Sequence, residues 1–306
     1  MLIKSKIDGK EYSFLDFKKH LAVNKITHKD YCLNLYKKQC LSSGQPIPFK
    51  NLEQYLGCDF IDKNAMKKWY KDNPELAKDY SIKLIEQRKQ TKGIKYALCE
   101  IELRSLGFPR AKYYKSIKGG YPSINSSLGL EQRFDYEQEE LIIRDNLVKY
   151  EVICDTREQK EIKFSRAKIE KLDYGDYSCS KKPKLAIERK SLKDLISSLG
   201  IKDNFERFER EVERAVADNG YIVVLCEEDI NTGLSFDYLP HIKRYTKITP
   251  SILFHNIRAL IQKYSNIQFA FCKDRKHMAE VMEKIFLCEN DISKVDLQYL
   301  ISEKKL

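Results

Sequence analysis

The chain has 306 residues, 42% hydrophobic and 33% charged, with a formal net charge of +11. That hydrophobic share excludes an intrinsically disordered chain, and the length suits two ordinary domains. Nine cysteines without a CxxC pair exclude a disulfide framework and fit a reducing, intracellular compartment. No stretch approaches the ~18 apolar residues of a membrane span, and the N-terminal MLIKSKIDGKEYSF lacks a signal-peptide run. Residues 1–130 hold 25 Lys and Arg against 13 Asp and Glu, whereas residues 131–306 hold 31 against 32. A basic excess confined to one part suits a polyanionic partner, although a lysine-rich surface also serves solubility.

The first 118 residues read as a smaller, basic, mainly helical domain. His20, His28, Cys32 and Cys40 are potential zinc ligands, but their spacing matches no standard finger. Leu52, Tyr55 and Leu56 suit a short helix, and Met66, Trp69 and Tyr70 a second. In that second helix Lys67, Lys68 and Lys71 lie beside Trp69, a face suited to a DNA backbone or to plain solvation. A third helix spans Leu76 to Lys89. In RAKYYKSIKGGY (110–121), Arg110, Lys112 and Lys115 alternate with tyrosines that can stack on bases; a lysine-rich linker is the plainer reading. KGGYPSINSSLGL (118–130) has linker composition. The acidic EQRFDYEQEELIIRDNL reads as a connector helix, so residues 119–147 are expected to join two domains.

From Tyr150 the pattern is α/β. YEVICD, KLAIE, YIVVLC and IQFAFC read as strands. Between and after them, helices carry Phe205, Phe208, Val212 and Val216, then Ile252, Leu253, Ile257, Leu260 and Ile261, then Met278, Val281, Met282 and Ile285. The first of these opens with Asp203 and Glu206 at capping-box spacing. Strands alternating with helices predict a mixed sheet covered on both faces over residues 148–288, followed by a tail, 289–306.

Chemistry concentrates in DTRE (155–158), GDY (175–177) and AIERKSLKDL (186–195). Asp155 ends a strand, where open α/β sheets form a crevice. Glu188 and Lys190 are two apart on a strand and share a face; Arg189 takes the opposite one and is better placed to anchor. Asp176 sits in a Gly-led turn just before that strand. Three carboxylates, Asp155, Asp176 and Glu188, would repel one another unless a divalent cation joined them. Such an ion polarises a phosphodiester and activates water, with Lys190 stabilising charge on phosphate. A bare D-x(11)-E-x-K also arises as a surface salt-bridge cluster.

The run DTRE…GDY…ERKSLKDL resembles the signature of the XPF/Hef family of structure-specific endonucleases, GD-x(n)-ERK-x(3)-D preceded by a strand ending in D-x-R-E. Asp155, Arg157, Glu158, Gly175, Asp176, Glu188, Arg189, Lys190 and Asp194 all match. The resemblance covers about residues 148–288. It implies a restriction-endonuclease-like nuclease domain with Mg²⁺ or Mn²⁺ at Asp155, Asp176 and Glu188, and Lys190 catalytic. It further implies supporting roles for Arg157, Glu158, Arg189 and Asp194, DNA as partner, and homodimerisation through the nuclease domain. Arg207 is a further DNA-contact candidate that also has helical spacing to pair with Glu211. Two departures stand out. Eighteen residues follow Cys288, too few for the family's tandem helix-hairpin-helix modules, and there is no GxxxxGK[ST] nucleotide loop. The DNA grip is therefore expected from residues 1–130. A catalytically silent DNA-binding scaffold and a sequence-specific phage or mobile-element endonuclease remain alternatives.

Overall fold

The computed structural model describes residues 3–4, 11–12, 74–138, 140–143, 150–238, 242 and 246–306. The chain divides into two compact units, one of Met1–Gly93 and Leu106–Leu130, the other of Ile94–Ser105 and Glu131–Leu306. The expected helices at 52–56 and 66–70, with Lys67, Lys68 and Lys71, lie outside the described residues, as do His20, His28, Cys32 and Cys40.

In the first unit, β1 (Ile3–Lys4) and β2 (Glu11–Tyr12) pair antiparallel. Helix α1 (Pro74–Lys92) starts on a proline, which needs no N–H partner in the first turn. The short helix α2 (Glu100–Ser105) follows in the chain but belongs to the second unit. A 3-10 turn (Ala111–Ser116) and α3 (Gly120–Ser127) also belong to the first. The 118–130 segment is therefore not a linker. Its Tyr121 and Ile124 are buried, and Tyr121 stacks on Tyr114 with ring centroids 4.8 Å apart. Lys89 Nζ donates to the Leu128 carbonyl at the end of α3 (2.6 Å). Hydrophobic burial overrides the Gly, Ser and Asn content that favoured a loop.

The second unit is built on a six-stranded sheet in the order β4-β3-β5-β6-β7-β8. Its strands are β3 (Val152–Asp155), β4 (Ala167–Glu170), β5 (Tyr177–Cys179), β6 (Lys182–Lys190), β7 (Tyr221–Cys226) and β8 (Ile267–Phe271). β3 runs parallel to β4 and antiparallel to β5, β5 and β6 form a hairpin, and β6, β7 and β8 are parallel. Parallel neighbours need crossovers. Helices α4 (Leu192–Gly200) and α5 (Lys202–Ala217) supply the first, and α6 (Ile230–Leu234) and α7 (Pro250–Lys263) lie in the second. Helix α8 (Arg275–Leu287) follows β8. Ile222 to Cys226 and all of β8 are buried, as expected of central strands covered on both faces.

Three local expectations change. Residues 131–138 and 140–143 form no helix. The Arg133 guanidinium within them donates to the carbonyls of Ile261 (2.8 Å), Ser265 (3.0 Å) and Ile267 (2.8 Å), from the end of α7 to the start of β8. The 289–306 segment is no loose tail. It carries α9 (Leu297–Ser302), buries Leu297, Tyr299 and Leu300, and presents Gln298 Oε1 to the Phe271 N–H (2.7 Å) on β8. A polar side chain thus satisfies a strand-edge donor that would otherwise be bare. Finally, α5 starts at Lys202 without a side-chain cap. A side-chain cap lies instead at Ser191, the N-cap of α4: its Oγ accepts from the Asp194 N–H (3.2 Å) and donates to Asp194 Oδ2 (2.6 Å).

Candidate active site

Strand β6 carries the site because its ladder with β5 and β7 holds the backbone while its side chains alternate. Glu188 is 5% exposed, and its Oε1 pairs with Lys190 Nζ two residues on. Asp176 enters beside them from the turn leading into β5. Its N–H donates to the Ile187 carbonyl (2.9 Å), its own carbonyl accepts from the Asp155 N–H (2.8 Å), and its Oδ2 accepts from the Arg189 N–H (2.8 Å). Asp176 is therefore fixed between β3 and β6 by backbone groups of both.

Electrostatics mark this pair. Burial raises the Asp176 carboxyl to about 6. Burial, followed by the charge of Asp176, raises Glu188 to about 8. Burial works against the charge on Lys190, but Glu188 beside it outweighs that and raises its affinity for a proton. A buried and a half-buried carboxylate that resist joint ionisation beside an ammonium group form a candidate site.

Asp155 is placed differently from the expectation of three converging carboxylates. Its Oδ1 accepts from the Arg157 N–H (2.8 Å) and Nε (2.6 Å), and its Oδ2 from Arg157 Nη2 (3.1 Å) and the Leu172 N–H (2.6 Å). Burial opposes its ionisation, but these hydrogen bonds win and hold the carboxyl below its ordinary range. Asp155 closes on Arg157, and no group of three or more His, Cys, Asp or Glu side chains close enough for a metal exists among the described residues.

Arg189, on the other face of β6, anchors the loop after β3. It grips Glu158 through Nε and Nη2, both at 3.0 Å, and donates to Glu227 Oε1 through Nη1 (2.8 Å). Arg275, at the start of α8, also pairs with Glu227 and donates to the Lys160 and Glu161 carbonyls. Sequence reasoning missed Glu227 and Arg275. Glu227 directly follows a buried strand, the same position that flagged Asp155. Arg275 carries no local signal. It also missed Glu211 on α5, whose Oε1 accepts from the Gly175 N–H (2.8 Å).

The remaining predicted residues scatter. Asp194 is exposed in the first turn of α4, where its carboxylate accepts from the Ser191 hydroxyl. Arg207 is exposed on α5. In the first unit Lys115 is exposed and Arg110 and Lys112 are half-buried, while Tyr113, Tyr114 and Tyr121 are buried. Those tyrosines are core residues and do not offer faces for base stacking, because the first unit needs their area to close its core.

The family model described as "ERCC4 domain" matches residues 142–285. Two solved structures are similar. XPF from Aeropyrum pernix is 24% identical over 46% of this chain and 67% of its own, with a TM-score of 0.34. XPF from Aeropyrum pernix in complex with DNA is 21% identical over 45% of this chain and 63% of its own, also with a TM-score of 0.34. This chain thus spans about two thirds of the length of the structures it matches. No curated protein matches it.

Proposed function

We propose that the ERCC4 domain at residues 142–285 makes this protein a divalent-metal-dependent DNA endonuclease that acts on branched or otherwise structured DNA. The observation that carries the reading is the convergence of Asp176, Glu188 and Lys190 at the end of β6, in a motif with no position replaced.

The chemistry of the donor set fits a hard cation. Mg²⁺ is commonly held by one or two carboxylates, with waters and substrate phosphates completing its shell. Asp176 and Glu188 would hold Mg²⁺ or Mn²⁺, whose charge would offset the desolvation of both carboxylates and the effect of Asp176 on Glu188. When bound, such an ion polarises a phosphoryl oxygen and lowers the pKa of water. Asp176 keeps its orientation through the Arg189 N–H. Lys190, held as a cation by Glu188, supplies positive charge to the phosphate as negative charge builds on its oxygens. Asp155 orders Arg157, whose guanidinium carries a second positive charge at the rim of the site. The basic first unit supplies phosphate contacts, and homodimerisation through the nuclease domain belongs to the same proposal.

The test is cleavage of end-labelled duplex, 3′-flap, fork and four-way-junction DNA with Mg²⁺, Mn²⁺ or EDTA, alongside Asp176→Asn. Metal-dependent cutting of branched DNA that falls by at least ~100-fold in the variant is expected. DNA bound without any cutting would overturn the reading in favour of a silent scaffold.

A further inference from the structure

The turn that delivers Asp176 is gripped by one stripe of helix α5. Arg214 Nε and Nη2 each donate to the Asp173 carbonyl (3.3 Å), and Asp218 Oδ2 accepts from the Tyr174 hydroxyl (2.8 Å). Glu211 Oε1 accepts from the Gly175 N–H (2.8 Å). Glu211 and Arg214 of the helix and Asp218 at its C-cap follow helical spacing, so three consecutive turn residues meet three side chains from one side of α5. Beside that stripe, Phe208, Val212 and Ala215 are buried and fix the rotation of the helix.

Glu211 occupies the member of this stripe nearest the chemistry. Gly175 has φ +72°, and a Cβ there would lie 2.8 Å from the Ala186 Cβ, so any other residue would strain the turn. Beyond it, the Asp176 N–H is already committed to β6. The Gly175 N–H is the last donor before the ladder begins, and a side chain from another element must satisfy it. The charge of Glu211 also bears on Glu188, Lys190 and Arg157, which places its carboxylate at the edge of the site.

We infer that Glu211 is a positioning residue, which holds the turn at Gly175 so that the Asp176 carboxylate stays beside Glu188. The inference rests on reading this site as the catalytic centre only for its kinetic consequence. The geometric claim stands apart from activity, because the Arg189 N–H donates to Asp176 Oδ2 and so reports where that carboxylate is.

The experiment is amide hydrogen exchange on the intact, isotopically labelled chain, comparing wild type, Glu211→Ala and Glu211→Gln. Glutamine keeps a carbonyl oxygen for the Gly175 N–H and removes the charge. Exchange at Gly175 and Arg189 is expected to rise by ~10-fold or more in the alanine variant. It should stay near wild type in the glutamine variant, with Val223 and Val224 of β7 unchanged in both. On a DNA that the wild type cuts, kcat should fall ~10- to 100-fold in Glu211→Ala with KM unchanged, and recover in Glu211→Gln. An Arg189 amide as protected in Glu211→Ala as in wild type would overturn the inference. So would a glutamine variant that exchanges as fast as the alanine one, since charge and not the hydrogen bond would then hold the turn. A wild-type chain that cuts no DNA would count against the nuclease reading alone, and the exchange result would still decide the role of Glu211.

Discussion

Arg189 and Glu158 form a two-pronged ion pair, with Nε and Nη2 each 3.0 Å from a different carboxylate oxygen and side chains only 8% and 4% exposed. The pair ties the loop after β3 to the last turn-facing residues of β6. Glu227 shares the guanidinium and passes the tie to Arg275 on α8.

Removing one member of such a pair leaves a buried charge with fewer partners, which typically costs ~3–5 kcal/mol. Glu158→Ala is expected to lower unfolding stability by about 3 kcal/mol, the low end, because Glu227 remains. Urea denaturation measures it. The Glu158→Ala, Arg189→Met double variant should recover part of the loss, and strict additivity would show that the two residues are not coupled.

Gly175→Ala combines two penalties. The residue must take φ +72°, and its new Cβ meets Ala186 at 2.8 Å. Gly93, at φ +59° with nothing within 4 Å, isolates the backbone part. Gly93→Ala should cost about 1 kcal/mol and Gly175→Ala at least twice that, on the order of 2–4 kcal/mol. Thermal unfolding of both variants checks the difference, and only Gly175→Ala should also impair cleavage.

Lys190→Ala removes the ammonium that pairs with Glu188. Cleavage should fall by ~100-fold or more while DNA binding persists, since charge developing in the transition state loses its partner. Single-turnover cleavage at saturating enzyme, set beside a binding isotherm, separates the two. An equally active variant would remove Lys190 from the mechanism.

Asp296 gives a pH dependence with a defined sign. Burial raises its carboxyl to about 6 from an ordinary 3.8, against hydrogen bonds from the Glu100 and Tyr299 N–H groups and the Tyr136 hydroxyl. Between these values the folded state binds more protons than the unfolded one, so stability falls as pH rises through the window. A shift of about two units corresponds to about 3 kcal/mol. Thermal melts at pH 4 and pH 7 should show a steeper loss in wild type than in Asp296→Asn; parallel profiles would exclude Asp296 as the source.

Local pattern alone determined much of the C-terminal half. The alternation of KLAIERK placed Glu188 and Lys190 on one face of β6 and Arg189 on the other, because successive side chains of a strand must point oppositely. The apolar runs YIVVLC and IQFAFC declared buried strands, and the DTRE, GD and ERK spacings marked the candidate site. Short strands escaped notice, since β4 is wholly exposed and β5 has three residues, too little for a periodic signal. Tertiary structure decided the rest. It brought the Leu172 N–H to Asp155 and Glu211 to Gly175, seated 289–306 against β8 and buried the tyrosines of 110–121. Each of these depends on which distant backbone donor or apolar surface needs covering. That demand is created only when separate elements pack together, so no window along the chain contains it.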